Sequence, residues 1–221
     1  MTDADEGFWC PTLIDKIRVF LRRGIKNDKV LDHHQAFVSN IAYNLQYLEF
    51  LNHLLTEKSL HATVLNQTQK TFIITGMSVI EAILWYVLRK KEMQKTDEWE
   101  EIKKLPPASF KVGKTELLMH TTILKKRDEP IEVEMRLDSM IKMVESKKLL
   151  GVDHQVYRKL NYLKKLRNRV HIHAVQHDHD TDWYSFDSRE VKLMKKVLLS
   201  VLVSDLFEPE VKHEQIIAYL K

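Results

Sequence analysis

Asp153–Ala174 reads DHQVYRKLNYLKKLRNRVHIHA. Val156, Leu160, Leu163, Val170 and Ala174 recur in steps of three and four, the period of a helix with one apolar face. Asp153 sits where an N-cap belongs, so the spacing predicts a helix from Asp153 through Ala174. The position that should fill the gap in the stripe is 167, and it holds arginine. At about 100° per residue, Arg167 falls in the middle of the face meant for the core. Its guanidinium stays charged, so there it needs an anion, a dipole or a polar pocket. Histidines follow within reach, placing a permanent cation beside groups that titrate near neutrality.

Working outward, the chain is predominantly helical. Thr12–Arg23 has an apolar face and stops at Gly24. Asp28 can cap a second helix whose face, Ala36, Phe37, Ile41, Leu45, Leu48, Leu51 and Leu55, runs to about Glu57. A third and longer helix is predicted from about His61 to Met93, and Asp97–Lys104 reads as one or two further turns before Pro106-Pro107. The middle then changes character: Phe110–Val112 precedes Gly113, Thr121–Leu124 is β-branched, Lys125–Pro130 reads as a charged turn, and Ile131–Met135 alternates with period two. A small β-hairpin insertion at 109–135 is therefore predicted within a single helical domain spanning 1–221. Helices resume at Leu137–Leu150, at Asp153–Ala174, at Arg189–Phe207 and at Val211–Leu220, with a polar loop over Val175–Ser188. The fold class is mainly α, an up-and-down bundle with that insertion.

Composition bounds the function. The 221 residues are 44% hydrophobic and 30% charged, enough for a core under a solvated surface. Net charge is +4, from 35 Lys+Arg against 31 Asp+Glu, which permits a nucleic-acid partner without demanding one. Cys10 is the single cysteine, which excludes an intramolecular disulfide and a thiolate cluster and suggests a reducing, cytoplasmic setting. Met1–Glu6 lacks the basic-then-apolar order of a signal peptide. Thr71–Leu88, TFIITGMSVIEAILWYVL, is apolar enough to raise a membrane span. Glu81 near its middle opposes that, at roughly 2.5 to 3.5 kcal/mol on insertion scales, so a buried core helix is predicted. With five glycines and no strand–GxGxxG or GKT/GKS loop, nucleotide binding by those motifs is excluded.

The chemistry-bearing candidates lie near Arg167. On a regular helix His171 stands about 40° from Arg167 and His173 about 120° away on the other side. Arginine can hold a phosphate and histidine can move protons, while Asn168 can hold a ribose hydroxyl or orient a histidine. Such a set suffices for attack of a ribose 2′-hydroxyl on its own phosphodiester, a reaction that needs no metal. The plainer alternative is a helix end where arginine snorkels and histidines cap the last carbonyls. Glu81 is the sole acid in the most apolar helix, and pairing it with Arg167 would satisfy both charges, as structure or as orientation for the arginine. The run His171, His173, His177, Asp178, His179, Asp180, Asp182 has ligand-type residues, but its spacing matches no metal motif. No cofactor is therefore expected. Trp183 and Tyr184, with Phe186, can stack bases or pin the loop.

These residues carry a resemblance. The order VIEAILWYVL, then YRKLNYLKKLRNRVHIH, then DTDWYSFD and a final apolar helix resembles the HEPN superfamily, over residues 61–95 and 153–207. Nuclease members share an arginine, a following polar residue and a histidine four to six residues on. The resemblance implies Arg167 and Asn168 for the first two. It favours His173 by spacing, whereas helix geometry favours His171, and both stay open. It further implies RNA as substrate, a bacterial toxin–antitoxin or phage-defence role with a possible antitoxin protein, and a homodimer with two motifs in one composite site. Other members of the superfamily are non-catalytic modules that bind RNA, a nucleotide or a protein partner.

Overall fold

The computed structural model describes residues 9–27, 30–171, 173, 175, 177–208 and 211–221, without the side chains of 211–214. Two compact units divide the chain: a helical unit from 1–91 and 137–221, and a β unit from 92–136. The architecture is mainly α, as the periodicities predict.

The helical unit is organised on one long helix. It contains α1 (Ile14–Gly24), α2 (His34–Glu57), α3 (Ala62–Lys90), α4 (Leu137–Ser146), α5 (His154–Arg167), the short α6 (Asp182–Ser185) and α7 (Ser188–Leu202), then a 3₁₀ helix at Val211–Leu220. α3 packs against α2, α4, α5, α6 and α7. Its apolar run explains the central place, because Phe72, Ile73, Met77, Ile80, Ile83, Leu84 and Tyr86 are all fully buried. α3 is the described helix long and apolar enough to span a bilayer, and 61% of that window is buried within the protein. Gly76 lets α7 approach: a Cβ there would stand 3.0 Å from Met194. Gly24, at the end of α1, lies against Phe207 and the Leu206 carbonyl, 2.6 and 2.8 Å from where a Cβ would be.

Sequence-predicted boundaries shift where polar contacts override period. α5 begins as expected, with Asp153 Oδ1 accepting from the Gln155 amide at 2.7 Å. It ends at Arg167, not at Ala174; a 3₁₀ turn, Asn168–Val170, follows, and His171 is extended at φ −82°, ψ 92°. The buried stripe is Val156, Tyr157, Leu160, Leu163 and Leu166, so Leu166 ends it and Val170, 47% exposed, does not join. Ala174 and Ile172 lie outside the described residues, as does the Asp28 cap. α4 stops at Ser146, and α7 at Leu202 rather than Phe207.

The β unit is wider than the predicted 109–135 hairpin. β1 (Lys95–Lys104) pairs antiparallel with β4 (Thr122–Val133), and β2 (Ala108–Val112) with β3 (Thr115–Met119). Asp97–Lys104 is thus strand, not helical turn, and Lys125–Pro130 belongs to β4. Period-two alternation is masked there because charges sit on both faces; no buried side makes the pattern legible. The register is broken twice, between Asp97 and Trp99 and between Glu101 and Lys103. Nearly every side chain of the four strands is exposed.

Candidate functional site

α3 builds the site from two places on one face. Lys70 and Glu81 are eleven residues apart, about 16 Å along the axis and about 20° around it. The Glu81 end meets α5. Arg167, the last α-helical residue, donates from Nη2 to Glu81 Oε2 at 2.8 Å. This is the pairing the isolated acid in an apolar helix called for. The pair is not sealed, since the arginine side chain remains 33% exposed and the glutamate 28%. Glu81 engages one nitrogen of the guanidinium, Nη2, and a third of the arginine side chain is left to solvent.

The histidines leave the helix together. Because α5 stops at Arg167, the angles of a continuous helix do not apply to His171 or His173. Both side chains are exposed, and their rings lie 6.0 Å apart at 53°. Asn168 is exposed in the 3₁₀ turn between them and Arg167. Arg169 holds the turn: Nη1 donates to Asp180 Oδ1 at 2.5 Å and Nη2 to the Asp180 carbonyl at 3.1 Å. The loop's departure from α5 is therefore tied to its return eleven residues later.

The Lys70 end of α3 holds α6. Lys70, whose side chain is 10% exposed, pairs with Asp182 Oδ2 at 2.7 Å and lies over the Phe186 ring. Asn66 Nδ2 donates to the carbonyls of Phe186 at 2.7 Å and Asp182 at 3.3 Å. Phe186 is buried, so of the loop's three aromatics it is the pin. Trp183 and Tyr184 face outward, 54% and 75% exposed. Asn66, Lys70 and Arg169 did not stand out in the sequence. A buried lysine in α3 and an acid at the first position of α6 acquire meaning only once the fold places them together.

Among the described residues no three His, Cys, Asp or Glu side chains converge to hold a metal ion. Two carboxylates of the His/Asp loop, Asp180 and Asp182, are instead engaged by Arg169 and Lys70. No family model matches the chain, and neither the curated proteins nor the solved structures contain a match to it.

Proposed function

We propose that this chain is a HEPN-type, metal-independent endoribonuclease, cytoplasmic and homodimeric, acting on RNA in a toxin–antitoxin or phage-defence setting. One observation carries the reading: Arg167 is oriented by Glu81 yet open to solvent, at the helix end from which exposed His171 and His173 emerge. In the reaction, one histidine takes the proton of the ribose 2′-hydroxyl, whose oxygen attacks the adjacent phosphorus. The bond from phosphorus to the 5′-oxygen breaks, and a second imidazole, from this chain or its partner, gives that oxygen a proton. Products are a 2′,3′-cyclic phosphate and a 5′-hydroxyl. Arg167 binds the phosphate and stabilises the charge building on it. Asn168 positions the ribose, and Trp183 and Tyr184 supply stacking surfaces for flanking bases.

The Arg167–Glu81 pair also favours a second reading. A half-buried ion pair within one subunit suits a non-catalytic module whose arginine braces α5 on α3. Arg167→Ala separates the two when cleavage and melting temperature are measured on one preparation. The nuclease reading expects cleavage to vanish with a modest change in melting. A protein that never cleaves RNA and melts much earlier on substitution is the module.

A further inference from the structure

We propose that the free edge of β1 is a docking edge for a second copy of this chain, joining two ribbons into one four-stranded sheet. The inference does not rest on the nuclease reading.

β1 pairs with β4 alone, so its other edge carries unpaired backbone donors and acceptors, apart from the Trp99 amide, which donates to Asp97 Oδ1 at 2.9 Å. All of β1 is exposed except the partly covered Asp97. An isolated two-stranded ribbon is marginal in water, and three or more strands are the usual requirement. Proteins ordinarily blunt such edges with charged side chains, proline or bulges. β4 is blunted: it contains Pro130, and its residues 127–130 stand opposite Glu98 alone. β1 has neither proline nor glycine; it is guarded by one bulge, at Ile102, and by seven charged side chains of both signs.

Its charges are self-complementary. The strand reads Lys95-Thr96-Asp97-Glu98-Trp99-Glu100-Glu101-Ile102-Lys103-Lys104, with acids before bases from Asp97 onward. Ile102 is an extra residue against β4, because Glu101 pairs with Leu124 and Lys103 with the adjoining Ile123. That bulge puts Asp97, Trp99, Glu101 and Lys104 on one face and Glu98, Glu100 and Lys103 on the other. Place a two-fold axis at Glu100 and run a second β1 antiparallel. Asp97 then lies opposite Lys104 of the second copy, and Glu98 opposite its Lys103, on matching faces. Symmetry doubles these to four opposite-charge pairs. The like-charged contact at the axis is Glu100 with itself. It is offset by Lys125, directly across the ribbon, and by Arg127 at 4.0 Å.

Two charge variants test this in sedimentation equilibrium. Asp97→Lys with Glu98→Lys puts bases at all four pairing positions, 97, 98, 103 and 104; Lys103→Glu with Lys104→Glu puts acids at all four. Each alone repels its own copy, while a one-to-one mixture restores every cross-copy pair. The expected result is self-association weakened roughly tenfold or more in each variant and regained in the mixture. Because each chain keeps its own substitutions, the mixture also controls for damage within the ribbon. The proposal is overturned if wild type is wholly monomeric, if either variant associates as wild type does, or if the mixture is no tighter than its components. Association that survives in both variants while Arg167→Ala still abolishes cleavage would discard the ribbon edge and leave the nuclease reading standing.

Discussion

Removing the Asp182 carboxylate should destabilise the protein more than removing the Lys70 ammonium, although both substitutions break the same 2.7 Å pair. The asymmetry follows from burial: the Lys70 side chain is 10% exposed and that of Asp182 28%. Asp182→Ala leaves an ammonium with little access to water and takes away its charged acceptor. Hydrogen bonds to charged groups contribute about 1.5–3 kcal/mol, and stripping one partner from a fully buried pair costs about 3–5. Asp182 keeps some contact with water, so about 2–3 kcal/mol is the expected loss. Lys70→Met instead leaves a carboxylate that is more than a quarter exposed and still reached by Gln67 Nε2 at 3.4 Å, and an apolar side chain fills the lysine stem's place. About 1 kcal/mol or less is expected. For a chain of this size each kcal/mol moves the midpoint by about 2–4 °C. Thermal unfolding followed by circular dichroism should therefore show a drop of roughly 4–12 °C for Asp182→Ala and a smaller one for Lys70→Met. Equal losses, or a larger loss for Lys70→Met, would refute the argument that burial of the ammonium sets the cost.

Three further outcomes follow from the geometry. Gly24→Ala should lower stability by about 1–3 kcal/mol in chemical denaturation, since its Cβ would meet both the Phe207 ring and a backbone carbonyl. Tyr157→Phe should be neutral or slightly stabilising. The Tyr157 hydroxyl is buried without a hydrogen-bond partner among the described residues, and burial followed by the Glu145 charge pushes its pKa up to about 12. Asp138 is held to a pKa of about 2 by hydrogen bonds from Lys142 and then Lys164. A carboxyl depressed on folding stabilises above its unfolded pKa of 3.8 and loses that contribution as pH falls towards 2. Wild type should therefore exceed Asp138→Asn in stability at pH 6, with the gap closing between about pH 4 and pH 2 in parallel melts.

The helices were legible where a burial stripe repeats without interruption. α3 came within three residues at its far end, because fifteen of its residues are buried and Glu81 is the one charged residue within the apolar run 71–88. α5 was legible to Arg167 and no further. Val170 and Ala174 continue the arithmetic of the stripe, yet Arg169 reaches Asp180 and turns the chain out of the helix. That contact spans eleven residues, and a local periodicity carries no trace of it. β1 was unreadable for the opposite reason, having no buried face to impose alternation. At the site, the Arg167–Glu81 pair could be anticipated because each charge stood alone on an apolar face. The order of the histidines could not, since it depends on where α5 stops. Lys70, flanking the apolar run of α3, resembles an ordinary solvated end until Asp182 is brought onto it.

The central claim is that Arg167 serves phosphate chemistry in which the attacking group is the ribose 2′-hydroxyl. The direct measurement is incubation of wild type and Arg167→Ala, in excess EDTA, with an RNA oligonucleotide and with its 2′-deoxy counterpart. The account predicts cleavage of the RNA by wild type alone, leaving 2′,3′-cyclic phosphate ends, and no cleavage of the deoxy strand. Cleavage by Arg167→Ala at the wild-type rate, or cleavage of the deoxy strand, would contradict it.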